Sequence, residues 1–300
     1  VLRSEPAANS FSEGIVKTMT KRKMNKYAEH RTWPSEAPNF SGQHFIHNKR
    51  LLKELVRLAQ LSDDDFVLEL GAGKGAITTV LSEQAGKVIA VEYDPKLANK
   101  LEQLRMRNVK VVRQDILRVP LPKLPFVVVS NIPFAITTSI MKMLFDNPKN
   151  QVQRAVIIME KGAAKRFASS HVKDPYVAAW KMFFDIRYVK GVSRENFSPP
   201  PKVDCAIITV SRKKVPMVPI KDFSVFRGLA DYMLKKPQLP VDWALRGIFT
   251  PPQIKNIKRN LGIKQEAPVA FLSESQWAGI FEAMIKHAPR FRWPKVQKAK

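Results

Sequence analysis

Short apolar runs recur along the chain from residue 66, separated by stretches with helical periodicity. Phe66 to Leu70, Val88 to Glu92, Val109 to Val112, Phe126 to Ser130 and Ala155 to Met159 have the length and residue types of strands. Helical patterns fall between them, around Ala76 to Ser82 and Leu97 to Leu104. This alternation predicts a parallel sheet, covered on both faces and doubly wound. Ile186 to Val192 and Ala206 to Val210 supply two further strands. Upstream, Leu51, Leu52, Leu55 and Leu58 mark one face of an amphipathic helix, with Lys49, Arg50, Lys53 and Arg57 on the rest.

After Arg212-Lys213-Lys214 the strand pattern stops and only helical patterns follow. Thr250-Pro251 has the form of a helix start, a capping side chain followed by proline in the first turn. Ser273-Glu274-Ser275-Gln276 fits a capping box ahead of Trp277, Ile280 and Met284. The expected organisation is an α/β catalytic domain over 41–214 and a small helical domain over 215–285. Basic segments flank them. Residues 1–40 lack periodicity, carry Pro6, Pro34 and Pro38, and include Lys21-Arg22-Lys23-Met24-Asn25-Lys26. They read as a disordered arm, with Met19 and Met24 as alternative native starts. The tail over 286–300 holds six Lys or Arg and no acid.

Charge narrows the partners. The chain has 51 Lys and Arg against 26 Asp and Glu, a net charge of +25. Solubility does not require that excess, and it points to a polyanion, nucleic acid ahead of an anionic membrane. A single cysteine, Cys205, excludes an internal disulfide framework and a cysteine-based zinc site; in its strand-like run it reads as a small buried residue. No apolar run has the length of a membrane span, and Val1 to Pro6 has no signal-peptide core. A cytoplasmic location is expected.

Candidate chemistry lies in two loops about sixty residues apart, each after a strand. Leu68-Glu69-Leu70-Gly71-Ala72-Gly73-Lys74-Gly75 is a glycine-rich turn that allows close backbone approach to a nucleoside-type cofactor. Glu92, nineteen residues past Gly73, is placed to hold a ribose. Position 76 is alanine, not the third glycine of a dinucleotide site, and Asp115 ends the third strand, where it can accept from an adenine amine. Alternatively, Asp115 caps the Ile116-Leu117 turn. The combination favours S-adenosylmethionine (SAM) on a Rossmann-like sheet.

The second loop is Ser130-Asn131-Ile132-Pro133-Phe134. An adenine N6 lone pair is delocalised into its ring and is a poor nucleophile. Acceptance of both amine hydrogens, by the Asn131 side-chain carbonyl and the Ile132 backbone carbonyl, pulls that nitrogen toward tetrahedral geometry. Pro133 stiffens the loop, and Phe134 is placed to stack on the base. No general base is required, because the methylated product loses its proton readily; positioning and electrostatics carry the rate. A target base must be unstacked or flipped to enter. Phe197, beside Pro199, Pro200 and Pro201, is either a second stacking ring or a core residue anchoring a loop.

Together with Ser41-Gly42-Gln43-His44-Phe45, Gln114-Asp115, Ile136-Thr137-Thr138, Glu160 to Arg166 and Phe197 to Val203, these loops resemble the rRNA adenine N6-methyltransferases. Within them they look most like the Erm family, which confers macrolide–lincosamide–streptogramin B resistance, and the resemblance covers roughly 38–285. It implies SAM as donor and one adenine of protein-free 23S rRNA, at the drug-binding site, as acceptor. It also implies SAM contacts at Gln43, His44, Gly71, Gly73, Glu92, Asp115 and Asn131. Base stacking falls to Phe134 and Phe197, and RNA contacts to Lys161, Lys165 and Arg166. The family's usual Gln-Asn-Phe reads Gln43-His44-Phe45 here, and imidazole still offers one hydrogen bond. No metal is expected at His44 and His47, which lack an accompanying carboxylate or Cys cluster. A monomer is the default. Three rival readings are a small-subunit rRNA adenine dimethyltransferase, a catalytically silent nucleic-acid-binding factor and a NAD-dependent oxidoreductase.

Overall fold

The computed structural model describes residues 43–296. The predicted arm at 1–40, Ser41, Gly42 and the last four residues lie outside them. In chain order the described elements are β1 (Phe45–Ile46), α1 (Lys49–Ala59), β2 (Phe66–Leu70), α2 (Ala76–Ser82), β3 (Lys87–Glu92), α3 (Pro95–Gln103), β4 (Val109–Arg113) and β5 (Phe126–Asn131). There follow α4 (Thr137–Phe145), β6 (Val152–Glu160), α5 (Lys161–Ala168), α6 (Pro175–Lys181), β7 (Phe184–Val192), β8 (Phe197–Ser198) and β9 (Cys205–Arg212). The chain then turns helical: α7 (Phe223–Met233), α8 (Val241–Leu245), α9 (Pro251–Asn260) and α10 (Glu274–His287).

Seven strands form one sheet in the order β4-β3-β2-β5-β6-β9-β7. From β4 to β6 all neighbours are parallel, and the mostly apolar strands inside the edge strand β4, namely β3, β2, β5 and β6, are largely buried from both faces. One strand departs from the predicted parallel arrangement: β9 runs antiparallel to both β6 and β7, so β7 keeps the direction of β6. The link from β7 to β9, residues 193–204, holds only a 3-10 turn and β8, without the helix that a parallel crossover normally uses. β8 instead pairs with β1, Phe197 opposite Ile46, and so ties the start of the described chain to this link.

On one face, α1 buries Leu51, Leu52, Leu55, Val56 and Ala59, and Asn48 caps it by accepting from the Arg50 and Leu51 amides. The other face carries the larger core. Phe145, Phe167, Trp180 and Phe184 from the sheet side join Phe226, Phe249, Trp277 and Met284 of α7 to α10 in one continuous cluster. Both predicted helix starts occur, each with a reciprocal capping box: Thr250 with Gln253 and Ser273 with Gln276. The strand order reverses between β2 and β5, and that switch point at the carboxyl edge is where open α/β sheets bind ligands.

Candidate active site

Because β2 and β5 are neighbours, the two marked loops meet at this edge. Ser130 Oγ accepts from the Leu70 amide at 2.8 Å, pinning the strand ends together. Gly71, Gly73 and Gly75 all adopt positive φ, which only glycine enters without strain. At Gly73 a second requirement adds to this. A Cβ there would lie 2.8 Å from the Phe45 ring, and the Lys74 ammonium sits 4.7 Å from that ring's centre. The glycine therefore admits Phe45, a packing role that spacing alone did not reveal.

Glu92 is 6 % exposed and holds the loop's shape. One carboxylate oxygen accepts from the Gly73 amide at 2.7 Å and the other from the Asp94 amide at 2.8 Å. Each oxygen keeps a free lone pair, which fits the expected ribose contact. Glu92→Ala is expected to strand the buried Gly73 donor, free the part-buried Asp94 one, and weaken SAM binding by at least ~10-fold, read by titration calorimetry. Asp115 stands at the end of β4. Its Oδ1 accepts from the Leu117 amide at 2.9 Å, and Arg118 lies 3.8 Å from Oδ2. The capping alternative is thus realised, and the half-exposed second oxygen remains open to an adenine amine.

Sequence reasoning missed Glu69, which sits under the glycine loop. It is 1 % exposed, accepts from Thr78 Oγ1 at 2.6 Å, and has its carboxyl pushed up to about 8, chiefly by burial and further by the charge of Glu92. A strand pattern does not distinguish a buried carboxyl from one that faces a ligand.

The acceptor loop has the feature that methyl transfer to an amine needs. Asn131 Nδ2 donates to the His44 carbonyl at 2.8 Å, which fixes which end of the amide is oxygen. Asn131 Oδ1 is buried with no partner among the described residues. An unpaired buried acceptor is costly to keep, and it fits an amine that arrives with the substrate. Ile132 is buried and its amide bonds the Ile158 carbonyl, so the loop is locked to β6. Pro133 packs beside Gly71, and Phe134 is partly exposed. His44 lines the same rim. Its Nδ1 donates to the Pro199 carbonyl at 2.8 Å, and its ring centre is 5.9 Å from that of Phe134. Gln43 is exposed beside it. Phe197 takes the other of its two readings. It is 2 % exposed, within the core cluster of Ile46, Val192 and Cys205, so the packing supports a loop anchor and leaves stacking to Phe134. Among the described residues no three His, Cys, Asp or Glu side chains are grouped to hold a metal.

A model of the family described as "Ribosomal RNA adenine dimethylase" matches residues 36–286. The chain belongs to the ribosomal RNA adenine dimethylase family. Members similar to it include an rRNA adenine N-6-methyltransferase of Bacillus licheniformis and another of Bacillus anthracis. Each is 52 % identical over 282 residues, covering 93 % of this chain and 98 % of the relative. The crystal structure of the 23S rRNA methyltransferase ErmE superposes with a TM-score of 0.73 at 25 % identity, over 81 % of this chain and all of that one. A dimethyladenosine transferase from Plasmodium falciparum shares the fold, with a TM-score of 0.68 at 21 % identity, over 81 % of this chain and 98 % of that one. The protein is accordingly an Erm-like, SAM-dependent rRNA adenine N6-methyltransferase.

In this dimethylase-family chain the three basic residues expected at the RNA all lie on α5, which starts where β6 ends at the catalytic edge. They are not equivalent. Lys161 pairs with Asp204 at 3.3 Å, and Arg166 reaches Asp174 at 3.8 Å and Thr138 Oγ1 at 2.8 Å. Lys165 is exposed and makes no ion pair among the described residues, which leaves its charge for a phosphate.

Proposed function

We propose that the chain methylates N6 of a single adenine in 23S rRNA, and that one or two methyl groups there block macrolide–lincosamide–streptogramin B binding. The observation that carries this is Asn131 Oδ1, a buried acceptor without a partner at the mouth of the switch point. The match to ErmE along that protein's full length supports the large-subunit target. By contrast, the small subunit methyltransferase A of Streptococcus thermophilus aligns over 199 residues at 34 % identity, covering 68 % of its length. Among the described residues no helix is long and apolar enough to cross a membrane, and we place the enzyme in the cytoplasm as a monomer.

SAM supplies an electrophilic methyl group. Glu92 and Asp115 hold its ribose and adenine, and the glycine turn, with Gln43 and His44 at the rim, encloses the remainder. Asn131 Oδ1 and the Ile132 carbonyl accept the two amine hydrogens of the target, which localises the N6 lone pair. Phe134 fixes the plane of the flipped base. The product ammonium passes its proton to water, so no side chain acts as a base.

The deciding experiment is transfer of labelled methyl groups from SAM to protein-free large-subunit rRNA, with primer extension to locate the base and small subunits assayed in parallel. Label at one adenine of the drug-binding loop is expected, with a primer-extension stop there where the nitrogen is dimethylated and has lost both hydrogens. Labelling confined to small subunits overturns the 23S assignment. RNA binding without transfer to either substrate overturns catalysis. In the same assay Lys165→Glu is expected to raise the RNA Kd and lower the salt slope of binding by about one, with SAM affinity unchanged. Equal losses for RNA and SAM mean that Lys165 supports the fold.

A further inference from the structure

A surface away from the acceptor loop has the chemistry of a nucleotide-stacking site. Three chain segments are laced side by side where α5 and α6 meet the helical region. The Val172 amide donates to Ala270 O at 2.9 Å, the Ala270 amide to Pro237 O at 2.9 Å, and the Val269 amide to Leu239 O at 3.0 Å. On the outside of this ledge the ring centres of His171 and Phe271 lie 4.1 Å apart with the planes 55° to each other, so the imidazole, from the sheet side, braces the phenyl ring of the helical region. Phe271 is 58 % exposed and His171 is exposed as well. Beyond Phe271, adjacent to Pro237, the Lys236 ammonium sits 5.0 Å from the ring centre of Trp243, itself 48 % exposed.

Charge selects the occupant. Lys173, Lys235 and Lys236 are exposed on or beside the ledge. Three acids near it are turned to other partners: Asp174 to Arg166, Asp242 to Lys258, and Glu274 to Lys181 and Lys213; Glu266, beside Ala267, is exposed. Otherwise what faces outward is aromatic and cationic. An exposed aromatic face and unneutralised cations suit unpaired bases joined by phosphates, and a protein or lipid partner has no comparable need for both. The position suits a nucleic acid already held at the active site. Arg166 binds Thr138, four residues past Phe134, and His171 follows Arg166 by five residues, at most about 17 Å of extended chain.

We infer that Phe271, braced by His171, forms a stacking platform for an unpaired base of the RNA substrate, outside the acceptor loop, with Lys173 and Lys236 on its flanking phosphates. The inference rests on RNA being the substrate and adds a second point of grip, which fixes how the strand runs from the flipped adenine. Such a platform discriminates unpaired from paired RNA, since a base within a duplex has no free face to offer.

The test uses the full chain and a protein-free fragment of large-subunit rRNA containing the drug-binding loop, with 2-aminopurine placed in turn at unpaired positions other than the target adenine. Wild-type enzyme is expected to quench or shift the fluorescence at one of these positions. Phe271→Ala is expected to abolish that signal and raise the RNA Kd by about tenfold, within the range of one lost stacking contact. SAM affinity should not change. Phe271→Trp should restore the signal, and Phe271→Leu, which keeps apolar bulk without a π face, should not. Wild-type RNA affinity in Phe271→Ala, or rescue by Leu, overturns the platform. Methyl transfer by the wild-type enzyme reports separately on the substrate: if that fragment is never methylated the 23S reading fails, whatever the 2-aminopurine shows.

Discussion

Asn131→Ala should lower kcat for methyl transfer by about 10²- to 10³-fold while leaving RNA affinity near its wild-type value. Among the described residues the side chain makes one hydrogen bond, Nδ2 to the His44 carbonyl, and presents Oδ1 without a partner. In the transition state the target nitrogen gains positive character, and an acceptor on its hydrogens stabilises that charge more than it stabilises the planar ground state. The loss therefore falls on kcat and not on KM for RNA. Asn131→Asp separates the two contacts, because it keeps an acceptor toward the substrate but places a carboxylate against the His44 carbonyl. It should retain more activity than Ala and bind SAM less tightly. Single-turnover assays with saturating RNA measure the first effect directly. If the Ala variant turns over at the wild-type rate, the acceptor role assigned to Asn131 is wrong.

The second large effect concerns stability against pH. The Glu69 carboxyl is pushed from 4.5 up to about 8, first by burial, so the folded protein keeps a proton there that the unfolded chain has released. Between those two values the folded state binds more protons, and the stability of the folded state falls as pH rises from about 4.5 to about 8. The contribution is full below the unfolded value and is gone above about 8. Its size is on the order of 5 kcal/mol at most. Glu69→Gln, neutral at every pH, should match wild type near pH 5 and exceed it by a few kcal/mol near pH 8. Urea denaturation of both proteins across this range checks the sign; parallel curves would mean that Glu69 is not buried as described.

Much of the site was legible because two signals coincide there. A strand pattern that ends in Gly71-Ala72-Gly73, and another that ends in Asn131-Ile132-Pro133-Phe134, place both loops at one edge once the sheet is parallel. Three particulars were not legible, each because it depends on contacts between distant segments. Gly73 faces the Phe45 ring, which spacing within the loop cannot show. Phe197 has the residue type of a stacking ring but is drawn inward when β8 pairs with β1. The ledge at His171 and Phe271 joins residues a hundred apart, held by the Val172 and Ala270 backbones. The reversed direction of β9 was hidden for a related reason, since an apolar strand reads alike in either direction.

The placement of β9 between β6 and β7 has a consequence for how the protein is made. Both flanking strands leave the ribosome before residue 205 does, yet neither can pair with the other in the finished register. Until β9 arrives, a nascent chain presents two open strand edges with free amides and carbonyls, the arrangement most prone to pair with another molecule. Inserting β9 closes both edges in one step and brings Arg212, at its end, to the Val152, Pro148 and Asn150 carbonyls. A stop codon before residue 205 should therefore yield insoluble fragments, not a smaller active enzyme. The catalytic edge, whose marked loops are complete by residue 134, is assembled on a sheet that is finished only at Arg212, nearly eighty residues later.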